Sequence, residues 1–325
     1  MRIVTLEEHI SFPEMISQIP KEKLGGHDQS PMMQRIAPKL ADVTGERLQT
    51  MDESGISMQV LSVINVGANL ISADKSPAFA EQYNDLIALK MAGHPNRFAA
   101  FANLPMTAPQ AAADELERAV KTHGFKGAMI NGLTDDKFLD EAEFAPIFER
   151  AERLDVPIYL HPGLAPKAVI DAYYSGLPNY SGMMLSIAGW GWHSETAIHV
   201  LRLLVSGVFD RYPKLKLIIG HMGEMLPMMM ARCDNAFKPG QAGINERTLT
   251  DTFREQVYIT TSGLFTQPPL KIAVDTFGID NVLFSVDYPF STNAMGREFL
   301  DAIELPQDEV EKIAHGNADR ILKLV

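Results

Sequence analysis

Arg2 Ile3 Val4 Thr5 Leu6 Glu7 Glu8 His9 reads as a β-strand ending in three titratable groups. Side chains two residues apart on a strand share a face, so Glu7 and His9 point one way and Glu8 the other. A carboxylate and an imidazole on one face are two ready metal ligands. Glu-x-His also occurs on solvated strand ends, so its meaning depends on the chain that follows.

That chain repeats a simple rhythm. Apolar runs at Met58 to Ile64, Phe98 to Leu104, Phe125 to Asn131, Pro157 to Leu160, Leu215 to Ile219, Val257 to Thr261 and Val282 to Val286 read as seven further strands. Helical stretches follow most of them: Ser76 to Gly93, Ala108 to Thr122, Glu141 to Leu154, Ser194 to Ser206, Glu224 to Phe237, Pro268 to Phe277 and Asp308 to Leu324. Alternating strands and helices imply a parallel sheet, and eight such units in 325 residues predict an α/β fold, a closed (β/α)8 TIM barrel. An open doubly wound sheet would carry a Gly-x-Gly-x-x-Gly turn after its first strand, and none is present.

Two stretches break the rhythm. Ser11 to Arg47 is expected to be a long loop with a short helix at Met32 to Ala41, and Leu164 to Trp192 a second insertion, after the fifth strand. Ser194 is the expected N-cap of the helix that follows. No internal repeat or linker composition divides the chain, so one barrel domain over residues 1–325 is expected.

The net charge of −12 argues against nucleic acid and anionic membranes as partners. The single cysteine, Cys233, excludes an internal disulfide, suits a reducing compartment and is expected to be a small buried apolar residue. Strand-like, charged sequence begins at once, without a signal peptide, and no apolar run reaches the roughly 20 residues of a membrane helix. A cytoplasmic protein is expected.

Barrel enzymes carry their chemistry at the carboxyl ends of the strands. There the sequence puts Glu7 and His9 (first strand), His161 (fifth), His221 within Gly220 His221 Met222 Gly223 Glu224 (sixth) and Asp287 within Asp287 Tyr288 Pro289 (eighth). Five metal-capable groups at one mouth are too many for chance. His27, His94, His123, His193, His199 and His315 fall in loops or helices and read as solvated, capping or packing residues. Met225, Met228, Met229 and Met230 read as core filling. Trp190 and Trp192 could line a pocket or pack the insertion.

Glu-x-His, His161-Pro162, Gly220-His221-x-Gly223-Glu224 and Asp287-x-Pro289 together resemble the amidohydrolase superfamily, and within it the metal-dependent, non-oxidative aromatic acid decarboxylases of the γ-resorcylate and 2,3-dihydroxybenzoate kind. Glu195 Thr196 Ala197 and Ser206 Gly207 Val208 Phe209 Asp210 extend the likeness over almost the whole chain. The resemblance implies that Glu7, His9, His161 and Asp287 hold one divalent ion, Zn or Mn, with Mg a further candidate. It implies that His221 and Glu224 form a hydrogen-bonded catalytic pair beside that ion; because the ring carbon that loses CO2 must accept a proton, Asp287, a carboxylic acid at the ion, is the candidate general acid. Arg232 and Asn131 are the substrate-binding candidates, Arg232 touching a substrate oxygen. The two-metal members bridge their ions with a lysine at the end of the fourth strand; here Lys126 begins that strand and Asn131 ends it, so one metal is expected. Gly163 after His-Pro departs from the larger polar residue frequent in the family.

The implied reaction converts a hydroxybenzoic acid to a phenol and CO2. The alternative is a hydrolase or hydratase acting on a lactone or ring-opened aromatic metabolite, with Asp287 as general base on a metal-activated water. The resemblance also implies a homodimer or homotetramer, in which the helix after the sixth strand or the insertions would reach a neighbour's pocket.

Overall fold

The computed structural model describes residues 1–24 and 31–325, so His27 lies outside the described residues. Its strands are β1 (Val4–Ile10), β2 (Met58–Val63), β3 (Phe98–Ala100), β4 (Ala102–Asn103), β5 (Ala128–Asn131), β6 (Ile158–His161), β7 (Leu217–Ile219), β8 (Val257–Thr260) and β9 (Val282–Leu283). Paired neighbours run parallel, β1 to β3 in one ladder and β4 to β9 in the other. β3 and β4 are halves of the third barrel strand, parted at Phe101. The Phe101 N–H reaches back to Leu61 O and the Ala102 N–H forward to Gly127 O, so this strand joins the two ladders. The expected α/β barrel is the fold.

Strand alternation sorts the core into two layers. Val60, Phe101, Met129, Tyr159, Ile218 and Leu283 pack together inside the barrel, while Leu61, Ala100, Ile130, Leu160, Ile219 and Ile259 pack against the helices. β1 breaks this alternation. Val4 and Leu6 belong to the inner layer, yet Ile3 and Ile10, seven apart, both belong to the outer one. The cause is a shift of register against β2 between Thr5 and Glu8, a bulge that turns Glu7 and His9 inward and Glu8 outward.

Among the described residues no ladder joins β9 back to β1; Glu8 closes the barrel instead. Its buried carboxylate accepts the N–H groups of Val286 (3.0 Å) and Tyr288 (3.2 Å), on either side of Asp287. The Glu7 N–H donates to Ser285 Oγ (2.7 Å) and the His9 N–H to Tyr288 O (2.7 Å). Behind Glu8, Gln59 Nε2 donates to it (3.3 Å), Arg47 Nη1 donates to Gln59 Oε1 (3.1 Å), and Arg47 Nη2 donates to His9 O (2.5 Å).

The insertions are less irregular than expected. The first contains helix Pro31–Ala41, the second helices Lys167–Tyr173 and Ser181–Ser186, and both border the mouth. Two local expectations are corrected. The next helix runs from Gly191 to Val205, with Trp190 rather than Ser194 at its N-cap; a Cβ at Gly191 would lie 2.3 Å from Ser186 O, so only glycine lets the helix start against the insertion backbone. After β7, Glu224 does not open a helix: residues 221–225 form a left-handed turn, and the helix begins at Leu226.

Replacing Glu8 by alanine strands at least two buried backbone N–H groups. At about 1–3 kcal/mol for each, Glu8→Ala is expected to lower unfolding stability by about 3 kcal/mol in urea titration; a loss under about 1 kcal/mol would contradict its closing role.

Candidate active site

Glu7 is fully buried, and its two oxygens have different surroundings. Oε2 accepts hydrogen bonds from Tyr159 and from Ser262 Oγ (2.6 Å). Oε1 has no hydrogen-bond partner and faces His161 Nε2 at 3.3 Å, His221 Nε2 at 3.6 Å and His9 Nε2 at 3.9 Å. The imidazoles are oriented from behind. His161 turns Nδ1–H toward Pro162 O (2.9 Å) and Asn65 Oδ1 (3.0 Å), and His9 Nδ1 lies 3.2 Å from Ser62 Oγ, leaving both Nε2 atoms aimed inward. Asp287 Oδ1 stands 3.4 Å from His9 Nε2.

These separations suit a metal. Atoms bound about 2.1 Å from one ion stand roughly 3.0–3.4 Å from each other in tetrahedral or octahedral sites, so only small movements would complete coordination. The orphaned Glu7 Oε1 is the strongest mark of such a site, because a buried carboxylate oxygen without a partner is costly. The expected lysine-free arrangement holds as well: Lys126 Nζ donates to Lys323 O at the chain's C-terminal end, away from the mouth.

His221 and Glu224 meet as expected, His221 Nδ1 lying 2.7 Å from Glu224 Oε1. The means is unexpected. His221 (φ 49°), Met222 (54°), Gly223 (82°), Glu224 (52°) and Met225 (65°) are all left-handed, a conformation that costs non-glycine residues energy and is concentrated at functional sites. It folds the carboxylate back under the imidazole.

The other oxygen of Glu224 is taken by His193 Nδ1 at 2.6 Å, while His193 Nε2 faces Ala188 O at 3.0 Å. His193, read from sequence as a surface or packing residue, is therefore part of the site. Its signal was positional. A helix that follows a barrel strand starts at the mouth, and His193 sits in the first turn of helix Gly191–Val205. His199, two turns further on, is the packing residue expected, its Nε2 accepting the Leu139 N–H.

The charges divide sharply. Burial opposes ionisation of Glu7, yet His221, His161 and His9 outweigh it and hold the carboxyl well below its usual range. Burial pushes His9 down to about 4 and lowers His161, so both are neutral. Burial also works against charge on His221, but the carboxylates of Glu224 and Glu7 lift it to about 10. Burial, reinforced by Glu7, raises Asp287 to about 8. At neutral pH the metal-free site thus holds an ionised Glu7, a cationic His221 and a protonated Asp287.

The site opens into a cavity of about 1,070 Å³, lined near its base by Asn131, Trp192 and Phe290. Asn131 Oδ1 and Trp192 Nε1 are buried without partners, a ready acceptor and donor. Trp190 is half exposed and does not line the cavity. Arg232 does not line it either: it is exposed on helix Leu226–Ala236. The methionines of that region are core filling only in part, since Met230 is buried but Met228 and Met229 are 74% and 49% exposed.

The amidohydrolase family model matches residues 27–324. The chain is 38% identical to decarboxylase orsB of Emericella nidulans, over 89% of this chain and 88% of that one. It is 37% identical to γ-resorcylate decarboxylase of Polaromonas sp., over 99% and 98%. Among solved structures it superposes, with a TM-score of 0.90 and 34% identity over 99% and 97% of the two chains, on a dihydroxybenzoic acid decarboxylase from Polaromonas sp. with bound manganese and the inhibitor 2-nitroresorcinol. The chain belongs to the amidohydrolase family, in the branch of the aromatic acid decarboxylases.

Proposed function

We propose that this protein is a metal-dependent carboxy-lyase that removes CO2 from a hydroxybenzoic acid of the 2,6- or 2,3-dihydroxy kind and leaves a phenol. The observation that carries the proposal is the convergence of Glu7 Oε1, His9 Nε2, His161 Nε2 and Asp287 Oδ1 at the base of a cavity that also holds a cationic His221. These four residues would hold one divalent ion, manganese or zinc, with magnesium a further candidate. Such an ion would supply Lewis-acid stabilisation of the negative charge that develops on the substrate's oxygens.

The remaining work falls to the chain. Tyr159 and Ser262 hold Glu7 so that one oxygen stays free, and His221, charged by Glu224, faces the substrate's anionic oxygens. Asn131 accepts a hydrogen bond from a ring hydroxyl. Asp287 receives the proton of the ortho hydroxyl as it ionises and passes it to the ring carbon bearing the carboxylate. The bond to the carboxylate carbon then breaks, its electron pair returns to the ring, CO2 leaves, and the phenolate regains a proton from solvent.

Arg232 contributes in trans. In a homodimer or homotetramer it would reach a substrate oxygen in a neighbour's pocket, and Met228 and Met229, four and three residues before it on the same helix face, would be covered by that contact. The single cysteine and acidic charge suit a cytoplasmic enzyme.

Incubating manganese-loaded enzyme with dihydroxybenzoates and trapping CO2 should show loss of at least one acid with stoichiometric CO2, and Asp287→Asn should abolish turnover with ion still bound; no CO2 from any acid, or full activity of the variant, contradicts the reading. Metal binding must expel the Asp287 proton. With the carboxyl at about 8, calorimetry should find about one proton released per ion at pH 7, and affinity rising about tenfold per pH unit up to about 8 and level above; no release would remove Asp287 from the ligand set. Arg232→Ala should mainly raise KM, and mixing it with inactive Asp287→Asn should restore activity at low substrate through mixed oligomers. No recovery, or a purely monomeric sedimentation profile, would place Arg232 outside the site.

A further inference from the structure

We propose that the acid this site takes carries an extended apolar substituent, such as an alkyl chain, on the ring edge opposite the carboxylate. The inference rests on the decarboxylase reading and narrows its substrate class.

Size is the first reason. Pockets for drug-sized ligands run from about 300 to 1,000 Å³, and this cavity, at about 1,070 Å³, exceeds that range. A single ring with a carboxylate and two hydroxyls fills only a small part of it.

The second reason is how the walls change with height. The ligand cluster of His9, His161 and Asp287 lies at the base with His221 and Asn131, while the insertion walls mix a few charged side chains, Lys23, Arg35, Lys39 and Asp171, with apolar ones. The outer walls come from the two insertions: Met32 and Ile36 from helix Pro31–Ala41, Ile170 from helix Lys167–Tyr173, Met183 and Met184 from helix Ser181–Ser186, and Leu164 from the loop after β6. Leu164, Met183 and Met184 keep 46%, 41% and 45% of their surface exposed while lining the same cavity as the ligand cluster. Large apolar side chains left in contact with water around one concave space mark a binding surface for something apolar. Methionine suits a flexible chain, because its own side chain adapts to the shape it meets.

The third reason is orientation. An acid whose carboxylate and ortho hydroxyl lie against the cluster of Glu7, His9, His161 and Asp287 directs its opposite ring edge away from that cluster, toward the opening. A chain at that edge would lie among Leu164, Ile170, Met183 and Met184, where the charged lining residue of the Ile170 helix, Asp171, is already paired with Lys167 Nζ at 2.6 Å. Lys23, Arg35 and Lys39 also line the cavity and would attract the anionic acid without contacting the tail.

The test compares 4-alkyl-2,6-dihydroxybenzoates from methyl to heptyl with the unsubstituted acid, using manganese-loaded enzyme and CO2 release. In parallel, the affinity of the corresponding 5-alkylresorcinols, the products, is read from tryptophan fluorescence of the metal-free protein. At about 0.8 kcal/mol per buried methylene, kcat/KM and product affinity should rise about tenfold for every two carbons until the cavity fills. Met184→Trp, which takes up outer volume, should shift the preferred chain toward shorter lengths. If the unsubstituted acid is decarboxylated and longer chains bring no gain in either series, the tail site is overturned and the decarboxylase reading stands. If resorcinol affinity climbs with chain length while no acid yields CO2, the apolar site stands and the decarboxylase reading falls.

Discussion

Strand alternation puts the adjacent carboxylates of Glu7 and Glu8 on opposite sides of β1, the register shift between Thr5 and Glu8 decides that Glu7 is the inward one, and most of the molecule's organisation hangs on that choice. Inward, Glu7 meets three imidazoles and keeps one oxygen unpaired. Outward, Glu8 seizes the backbone on both sides of Asp287 and closes the barrel where no ladder does. One strand therefore supplies the centre of the site and the clamp that holds its most distant member, encoded nearly 280 residues later, at a fixed place beside it.

Electrostatic division of labour follows from burial. Four imidazoles and three carboxylates share a small volume, yet they do not average into a neutral cluster. His9 and His161, held from behind by neutral acceptors or hydroxyls, stay uncharged and fit for coordination. His221, held by a buried carboxylate, stays cationic and fit to face an anion. The partner of the rear ring nitrogen decides the role of the front one.

Residues at strand ends were legible from sequence because the barrel maps chain position onto place: Glu7, His9, His161, His221 and Asp287 each close an apolar run, and all five meet. The order of the strands and of the helices that follow them came from apolar periodicity, whereas helices Glu46–Glu53, Leu249–Gln256 and Asn293–Asp301 were not marked by it. What the sequence hid depends on backbone geometry with no periodic signature. The bulge in β1 leaves Glu7 and His9 on a common face but does not reveal that this face is the inner one. The left-handed turn at 221–225 uses four non-glycine residues where glycine would be the usual sign. Ser194 looked like a cap because capping preference is local, whereas the start of that helix is set by contact of Gly191 with the insertion. His193 was passed over because a histidine in a helix has no period to betray it. Arg232 was expected from the family resemblance alone, and no strand-end position fixed its place: it lies exposed on helix Leu226–Ala236, outside the cavity lining.

The bridge made by His193 joins two parts of the barrel that would otherwise be separable. One ring nitrogen rests on Ala188 O, within the second insertion, and the other on Glu224, the group that charges His221. A loop whose length and composition shape the outer cavity is thereby wired to the acid–base pair at its base. Diversification of such a barrel cannot treat recognition and chemistry as exchangeable modules: grafting a different insertion between β6 and the next helix alters who stands behind Glu224, and a lineage that changes its substrate must retune its electrostatics in the same step.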